Sequence, residues 1–421
     1  MPKKSFFYLV AGLVIGIALT VAVLAVFNKR PVQQQGTVPV SIAAQVPVSA
    51  AKAAEEPAPA AVSVPASDVI LEPREQILEE KELPLNSVSE PSKESVFKPE
   101  FQKGMTYVSW SDKGYTNPES IKSMEQMASL GVDWTALIVT QYQDTYDSTR
   151  VYPAKGKTAT DESLIFAIKK LHDLKFKIML KPHLDLVNSN GKWRGEIGFT
   201  DQAGWDEWFK SYTAFILHYA AIAAAENVEQ FCIGTELSNA TVSQPALWRE
   251  LIKKIREIYK GKLTYAANWD EEFERIEFWD ALDYAGVDSY FFLVAPSKPS
   301  VEQLTDVWND WIRIIEAWQK KINKPVIFTE VGYKSSAGSV DEPWQHATVG
   351  ELDLELQVKC YKALLQSFWD KPWFYGVYWW YWGVNPRMGG VENKGFTPQN
   401  KPVESVIKEW YKDKPITGKA Y

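Results

Sequence analysis

The chain predicts an α/β fold, a (β/α)8 TIM barrel over residues 97–421, and three observations carry the prediction. Eight apolar strand-like runs alternate with helical stretches, the order that builds a parallel sheet with helices outside it. Most runs are continuously apolar rather than alternating, as expected of strands covered on both faces. The runs also end on polar or aromatic residues, and this architecture gathers its functional groups at the C-terminal ends of its strands. A doubly wound open sheet is the competing arrangement. It would want a glycine-rich nucleotide turn after the first strand, and "SWSDKGYTN" (109–117) does not provide one.

Ahead of the barrel the sequence predicts two further segments. Residues 6–27, within an N-terminal segment 1–30, form an uncharged apolar run after "PKK", long enough to span a bilayer. The run exceeds the apolar core of an ordinary cleavable signal, and no small-x-small site follows it at once, so an uncleaved anchor is the first reading. A cleaved signal, with a secreted product, is the second. Residues 31–96 lack aromatic side chains and are rich in Pro, Ala, Val, Ser and Glu. Such a stretch cannot bury enough apolar surface to offset its ordering entropy, and it reads as a disordered linker holding the barrel off a membrane. Cys232 and Cys360 lie in apolar strand and helix patterns and read as buried free thiols.

Within the barrel, "GMTYVSW" (104–110) is the first strand. A helix follows, with Asn117 as cap, Pro118 in its first turn and Gly131 as its stop. Next come "WTALIVT" (134–140), a helix around 161–175, "KIMLKPHLDL" (177–186) and a long helix from about 204 to 226. "QFCIGTEL" (230–237) is the fourth strand and "ALWRELIKKIREIYK" (246–260) its helix. "LTYAANW" (263–269), "YAGVDSYF" (284–291), "PVIFTEVGY" (325–333) and "FYGVYWWYW" (374–382) complete the strands, before a closing helix near 402–413.

The strand ends then present Trp110, Gln141, Tyr142, His183, Asp185, Glu236, Asn268, Trp269, Tyr290, Glu330, Trp380 and Trp382. A glutamate on a buried strand is costly unless paired or functional. Two of them, Glu236 and Glu330, end the fourth and seventh strands and so face one another across a barrel mouth. Paired carboxylates are what glycoside hydrolysis needs, one donating a proton to the leaving oxygen and the other attacking the anomeric carbon or activating water. A formal net charge of -7 argues against a nucleic-acid partner. His183 and Asp185 invite a metal reading, but the other histidines, His172, His218 and His346, form no second ligand cluster in sequence, so no metal and no cofactor is expected.

Glutamates ending strands four and seven resemble the clan A retaining glycoside hydrolases. Within that clan, "KPHLD", "GKWRG", "IGTEL", "VDSYF", "FTEVGY" and "YWWYWG" resemble glycoside hydrolase family 113, a family of β-mannanases, over roughly residues 100–413. The resemblance implies Glu236 as general acid/base, Glu330 as nucleophile, and Tyr290 as the hydroxyl that bonds and positions the nucleophile. It implies Trp380 as the platform beneath the sugar, with Trp193 and Arg194 on a loop reaching a neighbouring subsite. Trp110, His183, Asn268, Trp269 and Trp382 complete the expected substrate-binding set, Trp382 because period-two alternation puts it on the same strand face as Trp380. One residue departs from the clan: Thr235 stands where Asn usually precedes the acid/base, leaving Asn268 or His183 as partner for the sugar 2-hydroxyl.

The expectation is a monomeric endo-β-1,4-mannanase, held at a bacterial cell membrane with its catalytic domain outside the cytoplasm and a polysaccharide or oligosaccharide as substrate. Three alternatives stay open. They are a hydrolase of another β-glycan, a glycan-binding barrel without catalysis, and a phosphate-handling barrel using the loop "RMGGVENKG" (387–395).

Overall fold

Residues 98–346 and 350–419 are described by a computed structural model. The expected span over residues 6–27 and linker over 31–96 lie outside the described residues. Among the described residues no helix is long and apolar enough to cross a membrane.

Eight parallel strands close into a barrel in sequence order: β1 (Gln102–Val108), β2 (Trp134–Gln143), β3 (Lys177–Leu186), β4 (Gln230–Thr235), β5 (Lys262–Asn268), β6 (Ala285–Asp288), β7 (Val326–Val331) and β8 (Phe374–Gly383). Each crossover returns through a helix or turn on the outside, so each strand pairs with its sequence neighbours and β8 returns to β1. The helix Pro118–Ser129 starts as expected, with the Asn117 side chain accepting from Glu119 N–H at 3.0 Å. Both cysteines are free and buried.

Two cores result from the alternation of side chains along the strands. Met179, Cys232, Ala266, Ile327 and Tyr378 fill the barrel interior, while the far larger outer core packs strand faces against the helices. At the foot of the interior, Tyr378 OH donates to Gln102 Oε1 (2.7 Å), and the Gln102 amide donates to Gln230 Oε1 (2.8 Å). These bonds satisfy polar groups that burial would otherwise make costly. On the outer face, a β-carbon at Gly234 would come within 2.7 Å of Tyr212 OH and 2.9 Å of the Trp248 ring. Glycine at this position lets the helix Pro245–Ile258, which carries Trp248, seat directly on β4. Any side chain there would displace the strand two residues before Glu236.

The β1–β8 seam is fastened by residues beyond the sheet. Tyr411 OH donates to the Gly104 and Val377 carbonyls at 3.1 and 3.2 Å, one on each strand, and Lys103 Nζ reaches the Tyr411 carbonyl at 2.9 Å.

Candidate active site

Glu236 follows directly on β4 with its backbone in the left-handed region, at φ 51°. Two main-chain N–H groups hold that turn: Glu236 N–H donates to the Ala266 carbonyl (2.8 Å) and Leu237 N–H to the Tyr265 side-chain hydroxyl (2.7 Å). Asn268, at the end of β5, donates its amide to Glu236 Oε1 at 2.8 Å. The neighbouring strand thus supplies a side-chain amide beside the acid/base candidate, while Thr235 is buried. Burial pushes the Glu236 carboxyl up from its ordinary value, opposed by the Arg194 guanidinium and reinforced by the Glu330 charge.

Beneath this turn sits Glu272, a buried carboxyl whose four contacts all donate to it. They are Asn268 N–H (2.6 Å), Tyr265 OH (2.7 Å), Thr241 OH (2.9 Å) and Ser238 OH (3.0 Å). It ties the loops after β4 and β5 together, and burial still pushes it up to about 7. The sequence reading passes over this residue because its role depends on four partners, two on β5 and two on the short helix Ser238–Ser243 after β4.

Glu330 reaches the interior through a register shift. Ile327 lies in the barrel interior and Phe328 packs outward on Phe368, so strict alternation would turn Glu330 toward the helices. Between Val287/Phe328 and Asp288/Glu330 the pairing gains one residue on β7, and the bulge re-aims the carboxylate inward. There Tyr290 OH donates to Glu330 Oε2 at 3.0 Å. Lys181 Nζ donates to Glu330 Oε1 at 2.5 Å and lies 3.2 and 3.4 Å from the two oxygens of Asp288. Burial pulls the Lys181 ammonium down, but the Asp288 and Glu330 charges more than reverse this and hold it above its ordinary value. Burial and then the Glu330 charge push the Asp288 carboxyl well up, and the Lys181 ammonium opposes them. Its side-chain partners, Lys181 and Thr329 OH (2.7 Å), are both donors, the pattern of an ionised carboxylate.

His183 lies two residues beyond Lys181 on the same face of β3, with Nε2 3.5 Å from Glu330 Oε1 and its ring parallel to Trp380 at 6.1 Å. Burial, then the Lys181 and Arg194 charges, hold it well below the usual histidine range, so the imidazole is neutral. Arg194 pairs with Asp185 at 3.8 Å and its charge is felt at Glu236 and Glu330. Among the described residues no cluster of three or more His, Cys, Asp and Glu side chains is arranged to hold a metal ion.

The aromatic candidates separate. Trp110 is 48% exposed, with its ring edge-on to Tyr381 at 5.1 Å, and Trp193 is 41% exposed in the loop after β3. Trp269 is buried among Phe291, Phe292 and Trp311. The ring presented to solvent there is Trp344, stacked on Trp269 at 5.1 Å and 37% exposed. Trp382 is a correction: its indole N–H donates to Ser123 Oγ (2.9 Å) and to the Ser123 carbonyl (3.1 Å), on the helix side of the sheet. Pairing with β1 runs from Met105/Trp379 to Tyr107/Trp382, three residues of β8 against two of β1. Alternation therefore fails between Trp380 and Trp382, and Tyr381, beside Trp110 and Trp380, takes the place expected of Trp382.

The comparisons with known proteins identify the family and the fold. The profile of Glycoside Hydrolase Family 113 matches residues 105–401. A family 113 β-1,4-mannanase is 30% identical, with a TM-score of 0.68, covering 75% of this chain and 100% of its own. The β-mannanase of Alicyclobacillus acidocaldarius, solved in complex with ManMIm, is 28% identical, with a TM-score of 0.68, covering 75% of this chain and 99% of its own. A family 5 mannosidase from Rhizomucor miehei shares the fold alone, at 13% identity and a TM-score of 0.55, covering 75% and 94%. No curated protein matches the chain in sequence. With the family profile spanning the barrel and both glutamates at its mouth, the chain belongs to glycoside hydrolase family 113 and is an O-glycosyl hydrolase.

Proposed function

We propose that the protein is a retaining endo-β-1,4-mannanase in which Glu236 is the general acid/base and Glu330 the nucleophile. The observation that carries this reading is the contrast between the two carboxyls. Glu236 is buried, pushed up from its ordinary value and bonded to one neutral amide, as suits a proton donor. Glu330 is gripped by an ammonium and a phenol, as suits an anion that must be aimed. In the first step a Glu330 oxygen bonds to the anomeric carbon as the glycosidic C–O bond breaks and the leaving oxygen takes the Glu236 proton. In the second, water attacks the ester, giving its proton to Glu236 and returning the carboxylate. Trp380 offers an indole face for the sugar, and Trp110, Trp193 and Trp344 offer exposed rings further out. The mannan assignment rests on the β-mannanases the chain resembles.

Glu236→Ala and Glu330→Ala should each abolish hydrolysis in a protein that still folds by circular dichroism; substantial residual activity in either sinks the assignment. Mannan, glucomannan, xylan, cellulose and peptidoglycan, with products sized over time, separate the substrates, and mixed oligosaccharides from mannan are the expected result. We further propose that residues 6–27 tether the enzyme outside the cytoplasm. Retention of the full-length protein on membranes through a high-salt wash checks this.

A further inference from the structure

Two charged side chains at the mouth, Lys181 and Asp288, neither pass a proton nor stack on a sugar in the reaction above, yet both are fully buried. Lys181 comes from β3, Asp288 ends β6, and Glu330 lies on β7, so three strands bring one cation between two carboxylates. A buried ammonium needs one anion to offset its desolvation, and Glu330, at 2.5 Å, already provides it. The second carboxylate is therefore surplus to the resting state.

The charge of Glu330 is not constant. Reading Glu330 as the nucleophile, on which this inference rests, the residue is an anion in the free enzyme and a neutral ester in the glycosyl-enzyme. Without Asp288, Lys181 would be an unpaired buried cation for the lifetime of that ester. Without Lys181, two carboxylates would face each other whenever the ester is absent. We propose that Lys181 and Asp288 form a charge-balancing pair for Glu330, with the ammonium shared between both carboxylates in the free enzyme and held by Asp288 alone in the glycosyl-enzyme. The pair touches the nucleophile's side chain rather than the sugar, and its members are positioning residues.

The groups facing Lys181 from the other elements do not duplicate this role. Cys232 on β4 is a buried thiol pushed up to about 12, and His183 on β3 is neutral. Arg194, after β3, is itself a cation and is paired with Asp185. Glu236, after β4, is the proton carrier, and Tyr290 is a neutral donor to the opposite oxygen of Glu330.

The test compares Asp288→Asn, Lys181→Met and the double variant in the full-length chain, using a dinitrophenyl β-mannoside to resolve the two steps. Asp288→Asn should slow formation of the glycosyl-enzyme, read in kcat/KM, more than its hydrolysis, read in kcat. Lys181→Met should move the acid limb of the kcat/KM profile to higher pH by roughly 1–3 units, the size of an opposite-charge contact. The double variant removes one charge of each sign, so the cluster keeps its net charge, and it should return that limb to its original place, with kcat/KM about tenfold or more above the worse single variant. A merely structural pair predicts instead a double variant no better than the worse single one, with kcat and kcat/KM falling together; that result overturns the proposal. If a single variant fails to fold, the double variant still decides through the position of its acid limb. Glu330→Ala with azide guards the premise. Glycosyl azide of inverted configuration keeps Glu330 as nucleophile, so unmoved limbs would then count against the pair alone; retained hydrolysis without azide would remove the premise itself.

Discussion

Arg194 exerts the largest opposing influence on Glu236 after burial, and it does so from a loop rather than from a strand end. Its charge favours the ionised form of the proposed acid/base, so Arg194→Met should move the alkaline limb of the kcat/KM profile to higher pH, whatever it costs in KM. A limb that stays in place would mean the guanidinium acts on the substrate alone. Glu236 and Glu330 are legible in sequence because a carboxylate closing an apolar strand is an anomaly with few physical explanations. Lys181 carries an equally costly charge inside "KIMLKPHLDL", but a lysine in mid-strand can be read as a break in the apolar run. The discriminating signal was its company. "VDSYF" and "FTEVGY" place carboxylates on two other strands of the same barrel, and a buried lysine is affordable only beside such partners.

At the scale of elements, β8 separates two tryptophans that sequence alternation puts together. Trp380→Ala should lower kcat/KM by roughly tenfold or more, for about 1.5 kcal/mol of lost ring contact with the sugar. Trp382→Phe should leave kcat/KM unchanged and cost about 1–2 kcal/mol in denaturant unfolding, for the lost hydrogen bonds to Ser123. The register shifts on β7 against β6 and on β8 against β1 lie next to site residues, and strict period-two reasoning fails at each because one inserted residue reverses every later side chain. The helix Val301–Ile322 does not figure among the expected elements, although its Ser300–Gln303 capping box and the buried series Leu304, Trp308, Ile312 and Ile315 mark it clearly. The loop assembly around Glu272 has a pH signature of its own. Its carboxyl is held near 7 in the folded protein, above its unfolded value, so folding is most favoured when it is protonated. Stability should therefore fall as pH rises from about 4.5 to about 7, by roughly 3 kcal/mol at 1.36 kcal/mol per unit, and level off above. Glu272→Gln should flatten that slope in urea midpoints measured across the same range.

The barrel as a whole was the most legible level, since eight apolar runs separated by helical stretches admit few other folds, and its closure follows from strand order alone. Electrostatics at this scale bear on substrate choice. A chain of formal net charge -7 gains nothing from long-range attraction to a neutral glycan. With mannan, kcat/KM should be nearly independent of salt, whereas any activity on a uronic-acid-bearing glycan should rise as salt screens the repulsion. The seam between β1 and β8 adds a consequence in time. The ribosome delivers β1 first and β8 last, and the Tyr411 hydroxyl that spans both strands arrives later still. Every shorter nascent chain carries a sheet with two open edges, the form most prone to pairing with another chain. Completion of the barrel thus waits for its last strand, and the same event that shuts the sheet sets the Trp380 ring parallel to His183, so the candidate site is assembled only as the sheet loses its open edges.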